Sequence, residues 1–202
     1  MKKQVILYDF DGTIYRKDSF KTFIIHCIPI YKLILSSATI FIYILKMKLG
    51  KITNEQCKEA IFSYFFEGTT KVNFDLFCTS FAEKIKKNAS QILLSKIKEN
   101  SKYTQVIVSA SIYNWIAPWS NSMGIDKVIA TEIQISNQDI ISGKFTTKNC
   151  NSHEKVNRLN EIFNTDEYEI IEAYGNSKDD YPMFSLAQSA FLIKHNSIIQ
   201  MK

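Results

Sequence analysis

Val5-Ile6-Leu7-Tyr8-Asp9-Phe10-Asp11-Gly12-Thr13 is a short apolar run that stops at two aspartates, near the start of a 202-residue chain. Four apolar residues without alternation read as a strand buried on both faces, as in parallel sheets. Gln105-Val106-Ile107-Val108 repeats the pattern and ends at Ser109. Tyr168 to Tyr174 is a third such run, ending at Gly175-Asn176-Ser177, and Ala190 to Ile193 reads as a last strand. Each of the first three is followed by a helical pattern. That alternation predicts an α/β fold with an open parallel sheet, in which ligands bind beyond the carboxyl ends of the strands. Three strand ends then bring Asp9 and Asp11, Ser109 and Ser111, and Asn176 and Asp180 to one edge.

Roughly ninety residues separate the first two strands, too many for a simple crossover. They read as helices. Asp18-Ser19 can cap one that starts near Phe20. Thr53-Asn54-Glu55-Gln56 fits a capping box, and Phe74 to Asn88 and Ser90 to Asn100 carry apolar residues at helical spacing. The insertion is expected to form a helical cap over the site. Farther on, Trp115 to Met123 reads as a helix stopped by Gly124. Val128–Ile135 and Ile140–Thr147 read as paired strands around Asn137-Gln138-Asp139, and His153 to Phe163 as another helix.

Phe23 to Leu45 is almost wholly apolar, interrupted by His26, Pro29 and Lys32. It is long enough for a bilayer span of about 20 residues, but an internal lysine and proline are unfavourable there. The leading expectation is a cap helix packed in the interior. A helix lying at a membrane surface is the alternative, through residues 23–45.

Composition narrows the class. Hydrophobic residues make up 46% and charged residues 22%, the balance of a globular protein. The formal net charge is +5, carried by scattered lysines, with Arg16 and Arg158 the only arginines. Nucleic-acid binding is not expected from that pattern, because arginine supplies the bidentate grip on phosphate and guanine. Cys27, Cys57, Cys78 and Cys150 stand apart with no ligand spacing, which argues against zinc and for reduced, buried thiols in the cytoplasm. Lys2 and Lys3 lead directly into the first strand, unlike a signal peptide. His26, His153 and His195 do not cluster.

Asp9 and Asp11, two residues apart at a strand end, can both reach one divalent cation, and Mg²⁺ favours such oxygen donors. One carboxylate can attack phosphorus while the metal offsets the phosphate charge. The other can protonate the leaving oxygen and later activate water. Gly12 allows a sharp turn, and Thr13 can bond the loop or the phosphate. A plain turn or a calcium loop is the competing reading, but no calcium-loop glutamate follows at the required distance.

These residues resemble a known family. Tyr8-Asp9-Phe10-Asp11-Gly12-Thr13-Ile14 is similar to the first motif of haloacid dehalogenase-type phosphatases. Val106 to Ser111 is similar to the second, Lys155 within Cys150 to Val156 to the third, and Gly175 to Met183 to the fourth. The resemblance implies a Rossmann-like core (residues 1–14 and 101–202) with a helical cap (15–100). It implies Asp9 as nucleophile, Asp11 as general acid and base, and Thr13, Ser109, the Ala110 amide and Lys155 around the phosphoryl group. Mg²⁺ is then expected on Asp9, Asp11, Asn176 and Asp180. Asn176 departs from the usual aspartate and lowers the site's negative charge by one, with Asp180 or Asp179 as compensation.

The position of the insertion resembles the subgroup containing phosphoserine phosphatase, subfamily IB, in which an acidic residue at the offset of Asp18 contacts substrate; helix capping is its other expected role. The apolar cap also resembles class C phosphatidylglycerophosphatases. The resemblance thus implies Mg-dependent hydrolysis of a phosphomonoester through an aspartyl-phosphate, on a small phosphorylated metabolite. A membrane-associated lipid phosphatase and a catalytically weak phosphate-binding protein are the alternatives. The expected location is the cytoplasm, with peripheral contact at the inner face of the membrane an open possibility.

Overall fold

The computed structural model describes residues 2–164, 166–194 and 197–202; His195 lies outside them. The opening run forms β1 (Lys3–Tyr8), and Val5 to Tyr8 are completely buried. Ile6 and Tyr8 enter one apolar cluster, and Val5 and Leu7 enter another on the opposite face. Burial on both faces is why the strand shows no polar alternation.

Five helices follow before the next strand: α1 (Ser19–Cys27), α2 (Ile30–Lys48), α3 (Asn54–Phe66), α4 (Lys71–Asn88) and α5 (Gln91–Glu99). The core then continues with β2 (Thr104–Ile112), α6 (Tyr113–Ser122), β3 (Lys127–Thr131), β4 (Ile133–Ile135) and β5 (Ile141–Phe145). It closes with α7 (His153–Ile162), β6 (Tyr168–Gly175), a 3₁₀ turn (Lys178–Asp180), α8 (Tyr181–Leu186), β7 (Ser189–Lys194) and β8 (Ser197–Gln200). The main sheet runs β3-β2-β1-β6-β7-β8, parallel except for β8. The strand order therefore turns at β1, flanked by β2 and β6, which is where open sheets of this kind form a crevice.

Two expectations need correction. The stretch read as one pair of strands is divided: Lys127–Thr131 joins the main sheet, and only β4 and β5 pair as a separate antiparallel ribbon. The apolar stretch read as an interior helix breaks at Pro29. Its first part, α1, buries Phe23 and Ile24, whereas in α2 only Ser36 is buried. Periodicity could place apolar faces on α2, but could not say whether anything covers them.

Local signals at helix starts are realised as read. The Asp18 side chain accepts from the Lys21 amide at the start of α1, and Thr53 and Gln56 form a reciprocal capping box on α3. The four cysteines are unpaired, with three buried and Cys27 half-buried.

The inserted helices and the sheet share an aromatic core. Phe23 stacks on Trp115 with ring centroids 4.4 Å apart and meets Phe81 edge-on at 5.2 Å. Phe66 and Phe74 also pack on it, at 5.5 Å and 5.7 Å. Helix α4 packs along α6, and α3 lies on the β5 side of the ribbon. Phe23→Ala removes the ring that joins α1 to α4 and α6. Urea denaturation should show a loss of about 3–5 kcal/mol, the usual cost of deleting a fully buried phenylalanine; a loss below 1 kcal/mol would mean that the inserted helices do not depend on this contact.

Candidate active site

Strands β1, β2 and β6 end side by side, Tyr8 being in register with both Ile107 and Tyr174. The chain after β1 folds into a tight loop: the Asp9 amide donates to the Tyr174 carbonyl at 2.8 Å, and the Tyr15 amide to the Phe10 carbonyl at 2.9 Å. Gly12 turns this loop with φ +76°, and a Cβ there would lie 2.0 Å from the Asn176 Nδ2. Both the backbone angle and the close approach demand glycine.

At the centre is Lys155, which α7 delivers into the interior and which is 1% exposed. Its Nζ donates to Asp9 Oδ1 and to Asp180 Oδ1, each at 2.6 Å. Burial alone would lower the lysine pKa, but the two carboxylates outweigh it and hold the ammonium charged. Burial pushes the Asp9 carboxyl up, while the Lys155 charge and the Thr13 hydroxyl pull it back toward the ionised form. Thr13 Oγ1 donates to Asp9 Oδ2 at 2.9 Å and orients the carboxylate.

Asp180 is held by several protein donors. Besides Lys155, it accepts from the amides of Asn176 and Ser177 and from the Ser177 hydroxyl, all on Oδ2. Asp180 thus holds the lysine and closes its own loop. Asp179 is bonded to Asn151 Nδ2 at 3.2 Å, and Asp18 is the exposed cap of α1. Ser109 is buried, with its Oγ accepting the Ser111 amide at 3.0 Å, and Ala110 stands half-exposed just beyond it.

Asp11 meets the inserted helices. Its oxygens accept from the Ser19 amide at 3.0 Å and the Ser19 hydroxyl at 3.1 Å. Ser19 Oγ is also hydrogen-bonded to Ser111 Oγ, and Trp115 Nε1 donates to both hydroxyls. Burial pushes Asp11 up to about 7; the bonds from Ser19 oppose this, and the charges of Asp9 and Asp18 add to it.

Lys58, which sequence reasoning did not single out, reaches the same place from α3. Its Nζ lies 3.3 Å from Asn149 Oδ1 and 3.5 Å from the Ala110 carbonyl. Burial lowers its pKa against the pull of Asp11, Asp18, Asp9 and Asp179. No signal marked it, since one lysine on an amphipathic helix looks like any other. Asp9 is 7% exposed, so the acidic centre is almost enclosed; a wider groove of about 630 Å³ between Tyr43, Glu59 and Lys144 lies apart from it.

A family model described as haloacid dehalogenase-like hydrolase matches residues 6–185, which include every residue just described. The chain belongs to that hydrolase family. Among curated relatives, Protein CicA of Caulobacter vibrioides is 28% identical over 191 residues, covering 91% of this chain and 82% of CicA. A protein of unknown function from Bordetella pertussis Tohama I has a similar structure, with a TM-score of 0.81 at 16% identity, covering 94% of this chain and 89% of that one. A phosphoserine phosphatase solved as a phospho-aspartyl intermediate analogue has a TM-score of 0.58 at 18% identity, with 94% and 86% covered. At these identities the structures establish the fold of the family, a Rossmann-like sheet with helices inserted after its first strand.

The raised pKa of Asp11 has a consequence for stability. Its folded value lies above the ordinary 3.8, so between roughly pH 4 and 7 the folded chain holds more protons than the unfolded chain. Stability of the metal-free protein therefore falls as pH rises through that window, by about 1 kcal/mol per pH unit at the steepest. Melting curves in chelator should shift upward from pH 7 to pH 5, and Asp11→Asn should flatten the slope. An equal slope in the variant would remove Asp11 as the cause.

Proposed function

We propose that this hydrolase acts on phosphomonoesters by passing the phosphoryl group to Asp9. The observation that carries the reading is the buried Lys155 gripping Asp9 at 2.6 Å, with Asp11 two residues along the same loop. An ionised carboxylate held by Thr13 and Lys155 is an oriented nucleophile. Its oxygen attacks phosphorus, the bond to the leaving oxygen breaks, and Asp11 gives that oxygen a proton. The ionised Asp11 then takes a proton from water as the water attacks the aspartyl-phosphate and frees Asp9. Burial, which raises the affinity of that carboxyl for a proton in the metal-free chain, favours its carrying the proton to the leaving oxygen.

Ser109, the Ala110 amide and Lys155 are proposed to hold the phosphoryl oxygens, since transfer depends more on placed donors and cations than on covalent chemistry. The residues fit Mg²⁺: Asp9 and Asp11 supply carboxylates, and the Asn176 side chain lies close against Gly12 in the same loop cluster. Hard oxygen donors of this kind suit magnesium, which when bound would neutralise phosphate charge. Among the described residues no group of three or more acidic, histidine or cysteine side chains is gathered as a metal cage.

The near-complete burial of Asp9 favours a small phosphorylated metabolite. With Asp18 committed to capping α1, Lys58 is the group we propose to meet a second anionic part of that substrate. The inserted helices, residues 15–100, serve as the cap that excludes bulk water. A phosphate-binding protein without turnover is the reading that Asn176 favours, because an amide leaves one less negative charge for the metal.

Hydrolysis of p-nitrophenyl phosphate decides between them. The wild-type chain should turn over with Mg²⁺ and stop in chelator, and Asp9→Asn should lose at least about 1,000-fold in kcat. Binding of inorganic phosphate without any turnover would sink the enzyme reading.

A further inference from the structure

Helix α2 is apolar on two sides, and only one of them is used. Leu33, Ile40, Tyr43, Ile44 and Met47 form a seam packed toward the core, along α3. At about 100° per residue, Ile30, Tyr31, Ile34, Leu35, Phe41, Ile42 and Leu45 fall on a separate arc of about 140°. That arc is open: Ile34 is 65% exposed, Leu35 77% and Phe41 63%. Single exposed apolar residues are ordinary, but seven on one helix face mark an interaction surface.

The charge around the arc identifies the occupant. Between Asp18 and Glu55 there are five lysines (Lys21, Lys32, Lys46, Lys48 and Lys51) and no acidic residue. The chain's whole net charge of +5 equals that of this segment, and the remaining cations and anions balance. We propose that the outer face of α2 docks on an anionic lipid surface, with the apolar arc in the acyl boundary and the lysines at the headgroups.

The helix is long and apolar enough to cross a membrane by length and composition. Its inner seam ties it flat against the domain, however, so a span would carry α3 into the bilayer with it. A second copy of the chain would bring five lysines against five. An anionic surface meets both features of the segment at once. The proposal stands independently of the hydrolysis reading, because docking needs neither Asp9 nor turnover.

Flotation of the full chain with phosphatidylcholine vesicles, with and without a one-third share of phosphatidylglycerol, tests it. At least about tenfold more protein should float with the anionic vesicles, and raised salt should weaken the difference. The triple change Ile34→Glu, Leu35→Glu and Phe41→Glu should abolish flotation while leaving the melting temperature and p-nitrophenyl phosphate turnover unchanged. Lys46→Gln with Lys48→Gln and Lys51→Gln should weaken it with the apolar arc intact, and Asp9→Asn should float like the wild type. No flotation with either vesicle, or equal flotation with both, would overturn the assignment. So would a dimer in sedimentation that the glutamates dissociate, since the arc would then belong to a second copy.

Discussion

The structure depends on a lysine ammonium buried between two carboxylates. A cation taken out of water is tolerated only when paired and hydrogen-bonded, and removing one partner from such a group typically costs about 3–5 kcal/mol. Lys155 therefore constrains the chain. Asp9 must leave β1 toward it, Asp180 must fold back beneath it, and α7 must present it from a third direction. Gly175 makes the second of these possible, because a Cβ there would fall 2.6 Å from Asp180. Asp180 in turn closes its own loop by accepting two successive backbone amides. The charge balance around one ammonium is thus also what joins the ends of β1 and β6 to the start of α7.

A second, softer linkage runs outward from the same centre. Asp11 is held by Ser19, Ser19 by Ser111, and both hydroxyls by the Trp115 indole. Trp115 stacks on Phe23, in the helix that Ser19 begins. The hydrogen bonds that steady the acid are therefore made by the first turn of the inserted helices. Movement of α1 away from the sheet would break the bonds from Ser19 and also uncover the carboxyl, whose burial is the larger influence on its proton affinity, so the placing of α1 and the titration of Asp11 are linked. Motions of such elements commonly gate access in enclosed sites.

How far the sequence could be read follows from which forces are local. The strands of the parallel core were visible because burial on both faces leaves unbroken apolar runs, as in Val5 to Tyr8. The caps at Asp18 and Thr53 were visible because capping is settled within four residues. Asp9 and Asp11 could be placed at the site because topology gathers strand ends at one edge, and Lys155 because its stretch resembles the third motif of the family. What could not be read depends on partners distant in the chain. Thr13 has a hydroxyl whose bond to Asp9 is made only when the loop closes. That Asp180 holds a lysine depends on where Lys155 arrives, 25 residues earlier in the chain. Lys58 is one lysine among many until α3 is laid beside Ala110.

Helix α2 shows the same division more sharply. Its hydropathy fixes that it seeks apolar surroundings, but a helix has more than one face, and periodicity is silent on how many are satisfied within the chain. Here the fold satisfies the seam at Leu33, Ile40, Ile44 and Met47 and leaves the arc at Ile34, Leu35 and Phe41 in water. Leaving that much apolar surface uncovered costs free energy in proportion to its area, and the chain places lysines, with no acid, along the same segment. Lysine alone would improve solubility whichever acids stood nearby; the absence of every aspartate and glutamate from Ser19 to Asn54 does not. A segment that carries charge of one sign along with an open apolar face is matched by a surface of the opposite sign.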